Sequence, residues 1–312
     1  GLGIVVIVSV PGSIDWLADT FNIPKDDRGR LIGLIIISVI GLFALYLGQA
    51  ARISTLKLTL DRTIRAASLK TSWLINHELI EKTKGLDALV IIPAYNEQDN
   101  LAKLLPRIPS EVAGFQIGTA VNDDGSHDNT IDVARQHGVI VISNLLNRGQ
   151  GGASRTGYDL AKLLGVNACV TMDADMQHRP SELSVLLNPI LKGEYDLVIG
   201  SRKLGASSGG STMRKVGIDS LSRLVSVLTG QRFTDVSSGY KAFRIASLYS
   251  LDFQEDQFQA AEILIASVRH GLRVKEVPVT IDERMHGATK KGSDLSYGLR
   301  FFRSLVRAWW SH

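Results

Sequence analysis

The sequence predicts an α/β fold that follows an N-terminal transmembrane helix region. Short apolar runs typical of buried strands, such as residues 168–172, recur after about residue 86 and alternate with stretches of helical periodicity. Before them, residues 31–50 form an apolar stretch without a charged side chain. With 312 residues, the chain is long enough for one large domain and an appendage.

Residues 1–53 are interpreted as a membrane region whose span covers residues 31–50. A helix of about twenty residues crosses the ~30 Å hydrocarbon core of a bilayer, and the alternative is a buried core helix. Residues 2–10 are also apolar but too short to span. Because the chain starts at glycine, we interpret them as the tail of a truncated first span. An excess of basic residues after residue 50 favours a cytoplasmic location for the segment that follows.

Two segments flank the predicted body, residues 86–290. Residues 54–85 are predicted to form a helical connector, because apolar side chains recur at helical spacing, namely Leu56, Leu60, Ile64 and Ala67. Residues 291–312 are predicted to form a basic amphipathic helix, which suits the boundary between lipid headgroups and acyl chains. The alternative is that the apolar stripe of this helix docks on the protein core.

Composition excludes some classes of partner and bond. The formal net charge is only +4 and the pI is about 9.1, so no strong overall field points to nucleic acid. The single cysteine, Cys169, excludes an internal disulfide and lies within a predicted buried strand.

Six apolar runs mark the strands of the body. They cover residues 89–92, 117–121, 139–143, 168–172, 196–200 and 274–281. Pro93 cannot donate to a central ladder, so the first strand is predicted to end there. Helices are predicted from Asp128 to about residue 137, over residues 153–164 and over residues 258–270.

Two carboxylates follow the strand at residues 168–172, in the run Asp173-Ala174-Asp175-Met176-Gln177-His178. Open α/β sheets bind ligands at the carboxyl ends of their strands. Asp173 and Asp175, with the amide oxygen of Gln177, are hard oxygen ligands of the kind that Mg²⁺ or Mn²⁺ prefers. The alternative is that this motif merely ends a strand in a turn.

Two other strands also end in polar motifs. Pro93-Ala94-Tyr95-Asn96-Glu97 follows the first strand, and Asp123-Asp124-Gly125-Ser126 follows the second. Each could be ordinary strand-to-helix punctuation. If the three strand ends converge on one crevice, Tyr95 can stack on a base and Asp123 can accept a hydrogen bond from a base or a ribose.

Five motifs in order resemble the signature of glycosyltransferase family 2. They are the three motifs above together with Asn147-Arg148-Gly149-Gln150-Gly151 and Ser238-Gly239-Tyr240-Lys241. The chain is most similar to the branch of polyprenyl-phosphate glycosyltransferases that includes the dolichol-phosphate mannosyltransferases. The resemblance covers roughly residues 86–290. It implies a GT-A fold, a Rossmann-like nucleotide-sugar-binding domain, with a nucleotide-sugar donor, a divalent metal and inversion at the anomeric carbon.

The resemblance also implies roles for individual residues. The metal ligands are expected to be Asp173, Asp175 and Gln177, and the catalytic residues Asp173, Asp175 and Arg202. Nucleotide-sugar contacts are expected from Pro93, Tyr95, Glu97, Asp123, Asp124 and Asp173. The acceptor phosphate is expected to contact Arg202, Arg214, Lys241, Arg284 and Lys290. The chain departs from the family at Gln150, where many relatives carry lysine, and at Asn122, where an apolar residue is usual.

The expected reaction moves one hexose from a nucleotide-diphosphate sugar to a polyprenyl phosphate, at the cytoplasmic side of a membrane and with Mg²⁺ or Mn²⁺ as cofactor. Mannose from GDP-mannose is preferred, and glucose from UDP-glucose is the alternative donor. A glycan hydroxyl is the alternative acceptor, and it would require a carboxylate base. A catalytically silent membrane scaffold is the competing non-enzyme hypothesis. The sequence leaves the oligomeric state open.

Overall fold

The computed structural model describes residues 19, 27–83, 85–144, 146–207, 212–251 and 259–283. The chain divides into two compact units, residues 1–60 and 61–312. The predicted terminal helix at 291–312 and the apolar run at 2–10 lie outside the described residues.

The first described helix, α1, covers Asp27–Ile75 and contains the predicted span. Among the described residues it is the one helix that is long and apolar enough to cross a bilayer: residues 35–75 contain a window with a mean hydropathy of 1.7, and none of that window is buried. Large apolar side chains such as Leu42, Phe43 and Leu45 are exposed on it. The predicted connector consists of the rest of α1 and a short helix, α2 (His77–Thr83).

The second unit is built on a sheet of eight strands. Their bounds are β1 Ala88–Ala94, β2 Glu111–Val112, β3 Phe115–Asp123, β4 Ile140–Ser143, β5 Ala168–Thr171, β6 Leu197–Ser207, β7 Lys241–Arg244 and β8 Val274–Ile281. The main order is β2-β3-β1-β5-β7-β6-β8, and β4 also pairs with β3. Strands β4, β3, β1 and β5 are parallel, whereas β7 is antiparallel to both β5 and β6.

Helices cover both faces of this sheet. Their bounds are α3 Gln98–Leu104, α4 Thr130–Gln136, α5 Gly149–Leu164, α6 Leu183–Leu191, α7 Thr212–Thr229, α8 Ile245–Leu248 and α9 Gln259–Arg269, with short 3₁₀ turns at Leu105–Arg107 and Pro180–Glu182. One apolar core joins the sheet to α5 and α9, and a second joins it to α3 and α6. Two covered faces explain why the central strands are continuous apolar runs rather than alternating ones.

The prediction that the first strand ends at Pro93 is wrong, because β1 continues through Pro93 to Ala94. The carbonyl of Ile91 accepts from the Met172 amide at 3.0 Å, so Ile91 faces β5. Pro93, two residues later, faces the same side, where β5 has already ended at Thr171. The missing N–H of proline therefore leaves no ladder hydrogen bond unmade.

Asn122, the polar residue within β3, joins this strand to α5. Its side chain is fully buried, and its Nδ2 donates to the carbonyl of Ala153 at 2.8 Å. Helix α5 comes close to the sheet here because Gly157 has no side chain: a Cβ at this position would lie 2.3 Å from the Ile91 side chain and 2.5 Å from Asn122 Nδ2. The departure from the usual apolar residue therefore has a packing explanation.

Candidate active site

The polar motifs that follow β1, β3 and β5 lie at the same edge of the sheet, because these strands are parallel neighbours. Strand β7 runs in the opposite direction, so its first residue lies at that edge, with Lys241 opposite Thr171. The sheet therefore brings the Ser238–Lys241 motif beside the Asp173–Asp175 motif, although Gly239 follows Thr171 by 68 residues in the sequence.

The Asp173–Asp175 motif forms a tight turn directly after β5. Met176 adopts a left-handed conformation, with φ of 66°, which reverses the chain. The Gln177 amide donates to Asp175 Oδ1 at 3.2 Å, and the Gln177 side chain donates to the Asp282 carbonyl at 3.1 Å. Asp173 and Asp175 are both partly exposed, so their carboxylates are accessible to a ligand.

His178 supports the turn that contains Asp173 and Asp175. The Asp173 amide donates to His178 Nδ1 at 3.0 Å, and the imidazole stacks on the Tyr240 ring with centroids 4.6 Å apart. The Tyr240 hydroxyl in turn donates to the Arg179 carbonyl at 3.0 Å. His178 is buried, and it contacts Asp173 at both its backbone amide and its carboxylate, which lies 3.9 Å from His178 Nε2.

Gly239 and Lys241 flank the Asp173 carboxylate on the β7 side. A Cβ on Gly239 would lie 3.0 Å from both carboxylate oxygens of Asp173, so glycine leaves the space that this carboxylate occupies. Lys241 is only 5 % exposed. Burial lowers the pKa of its ammonium group to about 8, although the charge of Asp173 acts in the opposite direction. Lys241 was expected to contact the acceptor phosphate, and the structure places it among buried residues with its charge near Asp173.

The Asp123–Ser126 motif folds back on itself. Asp123 is fully buried and accepts from the amides of Gly125 at 3.1 Å and Ser126 at 3.2 Å. Asp124 accepts from the amides of Arg148 at 3.1 Å and Gly149 at 2.6 Å. Burial raises the pKa of Asp124, and these hydrogen bonds oppose the rise.

The Pro93–Glu97 motif is joined to the Asp123–Ser126 motif by reciprocal hydrogen bonds. The Asn96 amide donates to Ser126 Oγ at 2.8 Å, and the His127 amide donates to Asn96 Oδ1 at 2.8 Å. Tyr95 is partly exposed and packs edge-on against His127, with centroids 6.3 Å apart. The Glu97 amide donates to Thr130 Oγ1 at 2.9 Å. The Pro93–Glu97 and Asp123–Ser126 motifs therefore form one connected wall.

Asp128 accepts hydrogen bonds from backbone amides at the starts of two helices. It accepts from the Thr130 amide at 3.0 Å and from the Gln98 amide at 3.3 Å. The predicted helix after Asp128 begins two residues later, at Thr130, with Asn129 at the capping position. Asp128 therefore positions α3 and α4 together.

Gln150, which replaces a lysine of many relatives, donates through Nε2 to Asp173 Oδ1 at 2.5 Å. It is exposed and lies in the first turn of α5, which starts four residues earlier than the predicted helix start at residue 153. Gln150 thus links the glycine-rich turn to the Asp173 carboxylate without adding charge.

Arg202 forms an ion pair with Asp235, which the sequence analysis did not identify as a site residue. Its Nε donates to Asp235 Oδ2 at 2.6 Å, and its Nη2 donates to Ser237 Oγ at 3.2 Å. Asp235 is fully buried. Its position just before the Ser238–Lys241 motif was the available signal. The pairing fixes Arg202 on the segment that leads into β7.

Three predicted phosphate contacts remain. Arg214 lies in the first turn of α7. Arg284 and Lys290 lie outside the described residues. The described part of the chain therefore brings Arg202 and Lys241 to the crevice edge.

The residues at the end of β5 fit a divalent ion. No group of three His, Cys, Asp or Glu side chains converges among the described residues. Mg²⁺ is typically bound by one or two carboxylates, with substrate phosphates and water completing the octahedron. Asp173 and Asp175 supply that number of carboxylates, and the missing side chain of Gly239 leaves room for the Asp173 carboxylate.

A cavity of about 830 Å³ lies elsewhere in the second unit, between the end of α1, helix α5 and the residues after α8. Trp73, Tyr158 and Tyr249 line it together with basic side chains such as Arg155 and Lys162. None of the predicted site residues lines this cavity, so it is distinct from the crevice.

Comparisons with known proteins agree with this architecture. The family model described as Glycosyl transferase family 2 matches residues 89–251. An undecaprenyl-phosphate mannosyltransferase of Micrococcus luteus is 32 % identical over 213 residues, covering 65 % of this chain and 86 % of that protein. A UDP-N-acetylglucosamine–dolichyl-phosphate N-acetylglucosaminyltransferase of Methanococcus voltae is 29 % identical over 240 residues, covering 70 % of this chain and 94 % of that protein.

Among solved structures, glucosyl-3-phosphoglycerate synthase from Mycobacterium tuberculosis, in complex with Mn²⁺, UDP and glucosyl-3-phosphoglycerate, matches with a TM-score of 0.56. It is 23 % identical, and the match covers 74 % of this chain and 82 % of that one. This likeness establishes the GT-A-like fold of the second unit.

Proposed function

Because the chain belongs to glycosyl transferase family 2, we propose that it transfers one hexose from a nucleotide-diphosphate sugar to a polyprenyl phosphate at the cytoplasmic face of a membrane. The observation that carries this proposal is the pair of partly exposed carboxylates, Asp173 and Asp175, at an edge of the sheet where Lys241 of β7 and Arg202 of β6 also lie. Relatives named for polyprenyl-phosphate and dolichyl-phosphate acceptors support the acceptor class.

The donor would lie across the ends of β1, β3 and β5. Tyr95 would stack on the base, and the wall formed by Pro93, Glu97, Asp123 and Asp124 would hold the base and ribose. Asp123 and Asp124 already accept backbone hydrogen bonds. Their contribution is therefore to fix the shape of this wall as much as to bind the nucleoside.

Asp175 is the first choice for a direct metal ligand, with Asp173 and the amide oxygen of Gln177 beside it. A divalent ion bound there supplies Lewis-acid stabilisation of the charge that grows on the departing diphosphate. Mg²⁺ and Mn²⁺ both accept this set of oxygen ligands. The Mn²⁺ named with the structural relative supports a divalent cofactor. Gln150 and His178 would keep Asp173 oriented.

The transfer itself would be a single displacement. An oxygen of the lipid phosphate attacks the anomeric carbon as the bond from that carbon to the nucleotide diphosphate breaks, which inverts the configuration through an oxocarbenium-like transition state. A phosphate monoester has a second pKa of about 6 and is mostly dianionic at neutral pH, so this acceptor needs no general base. Arg202 and Arg214, with Arg284 and Lys290, would bind the acceptor phosphate, and Lys241 would add positive charge behind Asp173.

Mannose from GDP-mannose is the preferred donor, because the Ser238–Lys241 motif is more similar to that of mannosyltransferases. UDP-glucose is the second candidate. The named relatives include both a mannosyl and an N-acetylglucosaminyl transferase, so the test must compare donors. A transferase to a glycan hydroxyl and a silent membrane scaffold remain the competing functions.

The test uses the full chain in detergent with Mg²⁺ or Mn²⁺ and radiolabelled GDP-mannose, UDP-glucose or UDP-N-acetylglucosamine. Each donor is offered polyprenyl phosphate and, as the matched control, the same polyprenol without phosphate. Label in the lipid extract that requires the phosphate and one donor is the expected result. Label that appears only with a glycan acceptor would favour the hydroxyl transferase, and no metal-dependent donor binding would favour the scaffold. Protease protection in sealed vesicles tests the cytoplasmic orientation.

A further inference from the structure

Three arginines converge on one carboxylate beside the glycine-rich turn. Asp61 accepts hydrogen bonds from Arg155 Nη2 at 3.1 Å and from Arg148 Nη1, and it forms an ion pair with Arg65, whose Nε lies 2.9 Å away. The side chains of Asp61, Arg148 and Arg155 are only 14 %, 10 % and 5 % exposed. Such shielded, charge-assisted hydrogen bonds are stronger and more specific in geometry than surface ion pairs.

Arg148 is fixed at both its backbone and its side chain. Its amide and that of Gly149 donate to Asp124, at 3.1 Å and 2.6 Å. Its guanidinium donates to the Gly152 carbonyl at 3.1 Å and to Thr156 Oγ1 at 2.8 Å. A Cβ on Gly152 would lie 2.6 Å from Arg148 Cβ and 3.5 Å from its guanidinium carbon, so the Arg148 side chain packs directly against the first turn of α5.

The charges explain why Asp61 is needed at this point. Burial disfavours the charged form of Arg148, Arg155 and Arg65 repel it, and Asp61 is the largest favourable charge acting on it. Without the carboxylate, the guanidinium groups of Arg148 and Arg155 would face each other with reduced exposure to water. Removing one member of a shielded ion pair leaves the other charge uncompensated, which is costly. Arg148 would then turn outward and release the chain that follows it.

The chain that follows Arg148 leads directly into the crevice. Gly149 donates to Asp124 in the wall that follows β3, and Gln150 donates to Asp173 at the end of β5. The same turn therefore touches both carboxylate motifs. Neither Asp61 nor its partners belong to the residues expected to bind the donor, since Asp61 lies in α1, 25 residues before the resemblance begins at about residue 86.

We propose that Asp61 is a positioning residue for the donor site: by neutralising Arg148 and Arg155 it fixes the turn at residues 147–151, and through Gln150 and Asp124 it orients both carboxylate motifs. The donor part of this inference rests on the proposed function. Asp61 lies in the part of α1 that belongs to the second unit.

The test compares Asp61→Asn with the parent in the full chain, with Glu78→Gln as the matched control because Glu78 is an exposed acid on the neighbouring helix α2. Asp61→Asn should accelerate amide hydrogen exchange in residues 147–152 and leave exchange in β8 unchanged. It should raise the KM for the nucleotide sugar about tenfold and change kcat less than about twofold, because a turn that is displaced by a fraction of an ångström weakens positioning. Asp61→Glu, which restores the charge, should recover part of the lost affinity.

Unchanged exchange at residues 147–152 in a folded Asp61→Asn protein would overturn the inference, and so would acceleration of equal size in β8, since that would indicate a general loss of stability. If Asp61→Asn does not fold, Arg148→Lys, which keeps the charge but loses the fork of donors, should produce the same local change in exchange. The measurement of amide hydrogen exchange does not depend on activity. Absence of transfer in the parent would therefore count against the proposed function, while local exchange would still decide the role of Asp61.

Discussion

The pairs Asp123–Asp124 and Asp173–Asp175 occupy equivalent positions, at the ends of the two parallel strands that flank β1, yet they differ in environment. The first pair is buried and its oxygens accept amide hydrogen bonds from the Gly125–Ser126 and Arg148–Gly149 turns. The second pair is partly exposed, and the carboxylate of Asp173 accepts a hydrogen bond from the side-chain amide of Gln150 and lies 3.9 Å from His178 Nε2. Acidic residues at one sheet edge can therefore serve either to build the loops or to bind a ligand.

The difference follows from what lies opposite each pair. Asp124 faces the amides at the start of α5, which are short of partners because the first amides of a helix have none within the helix. Asp173 faces Gly239, which has no side chain, and the charge of the buried Lys241. Asp124 thus accepts hydrogen bonds from the amides at the start of α5, whereas Asp173 lies beside Gly239 and near the positive charge of Lys241.

The largest effect should come from Asp175→Asn, which removes charge with little change in shape. Transfer should fall by about 10³-fold, because an electrostatic contribution to the transition state is lost. The thermal midpoint should stay within about 2 °C, since a partly exposed polar substitution changes stability little. Asp132→Asn, an exposed acid in α4, is the control. Activity within tenfold of the parent would remove Asp175 from the site.

Asp124→Ala should have the opposite profile, with its main effect on stability. It leaves the amides of Arg148 and Gly149 without their acceptor, which should cost about 2–4 kcal/mol of unfolding free energy. Thermal denaturation in detergent should show a midpoint lower by about 5–10 °C. A fully stable but inactive Asp124→Ala protein would mean that Asp124 binds the donor directly, and the contrast between the two pairs would fail.

Gly239→Ala tests the space beside Asp173 without changing any carboxylate. The new Cβ would lie 3.0 Å from both oxygens of Asp173, so the carboxylate must shift by a few tenths of an ångström. Transfer should fall about tenfold with little loss of stability, because displacement of a positioned group weakens catalysis. Gly217→Ala is the matched control, since no atom of the described residues lies within 4 Å of a Cβ there. Equal activity of the two variants would show that the space beside Asp173 is not needed.

The smallest expected effect concerns Asp196, which lies just before β6 and belongs to neither the Asp123–Asp124 pair nor the Asp173–Asp175 pair. Hydrogen bonds from Arg273 lower its pKa to about 2. A depressed folded pKa gives stability that is present above the unfolded value of 3.8 and is lost as the pH falls towards 2. The drop in thermal midpoint between pH 4 and pH 2 should therefore be smaller in Asp196→Asn than in the parent. An identical drop in both proteins would indicate that the ion pair persists in the unfolded chain.

The strands were largely predictable, because burial on both faces of a parallel sheet produces local apolar runs. The predicted strand at residues 274–281 matches β8, and that at 168–172 differs from β5 by one residue. The placement of Asp173 and Asp175 at a strand end followed from the same pattern. The run through Pro93 was predicted less well, because the tolerance for proline depends on where the neighbouring strand ends.

The partners of the site residues could not be predicted from local pattern. Arg202 and Asp235 are separated by 33 residues, and Asp61 and Arg148 by 87. Their meeting depends on the reversed direction of β7 and on the path of α1, which no short motif records. Asn122 illustrates the same limit, since its polar side chain makes sense only when the carbonyl of Ala153 on α5 lies 2.8 Å away.

Cys169 is a natural probe of how often the protein core around β5 opens. It is the single cysteine in the chain, it is fully buried in β5 four residues before Asp173, and burial raises the pKa of its thiol. A thiol reagent can modify it only when the apolar core between β5 and α5 opens, so the labelling rate measures how often this core opens. Slower labelling in the presence of a nucleotide sugar would measure how strongly donor binding holds that core closed, with no engineered probe.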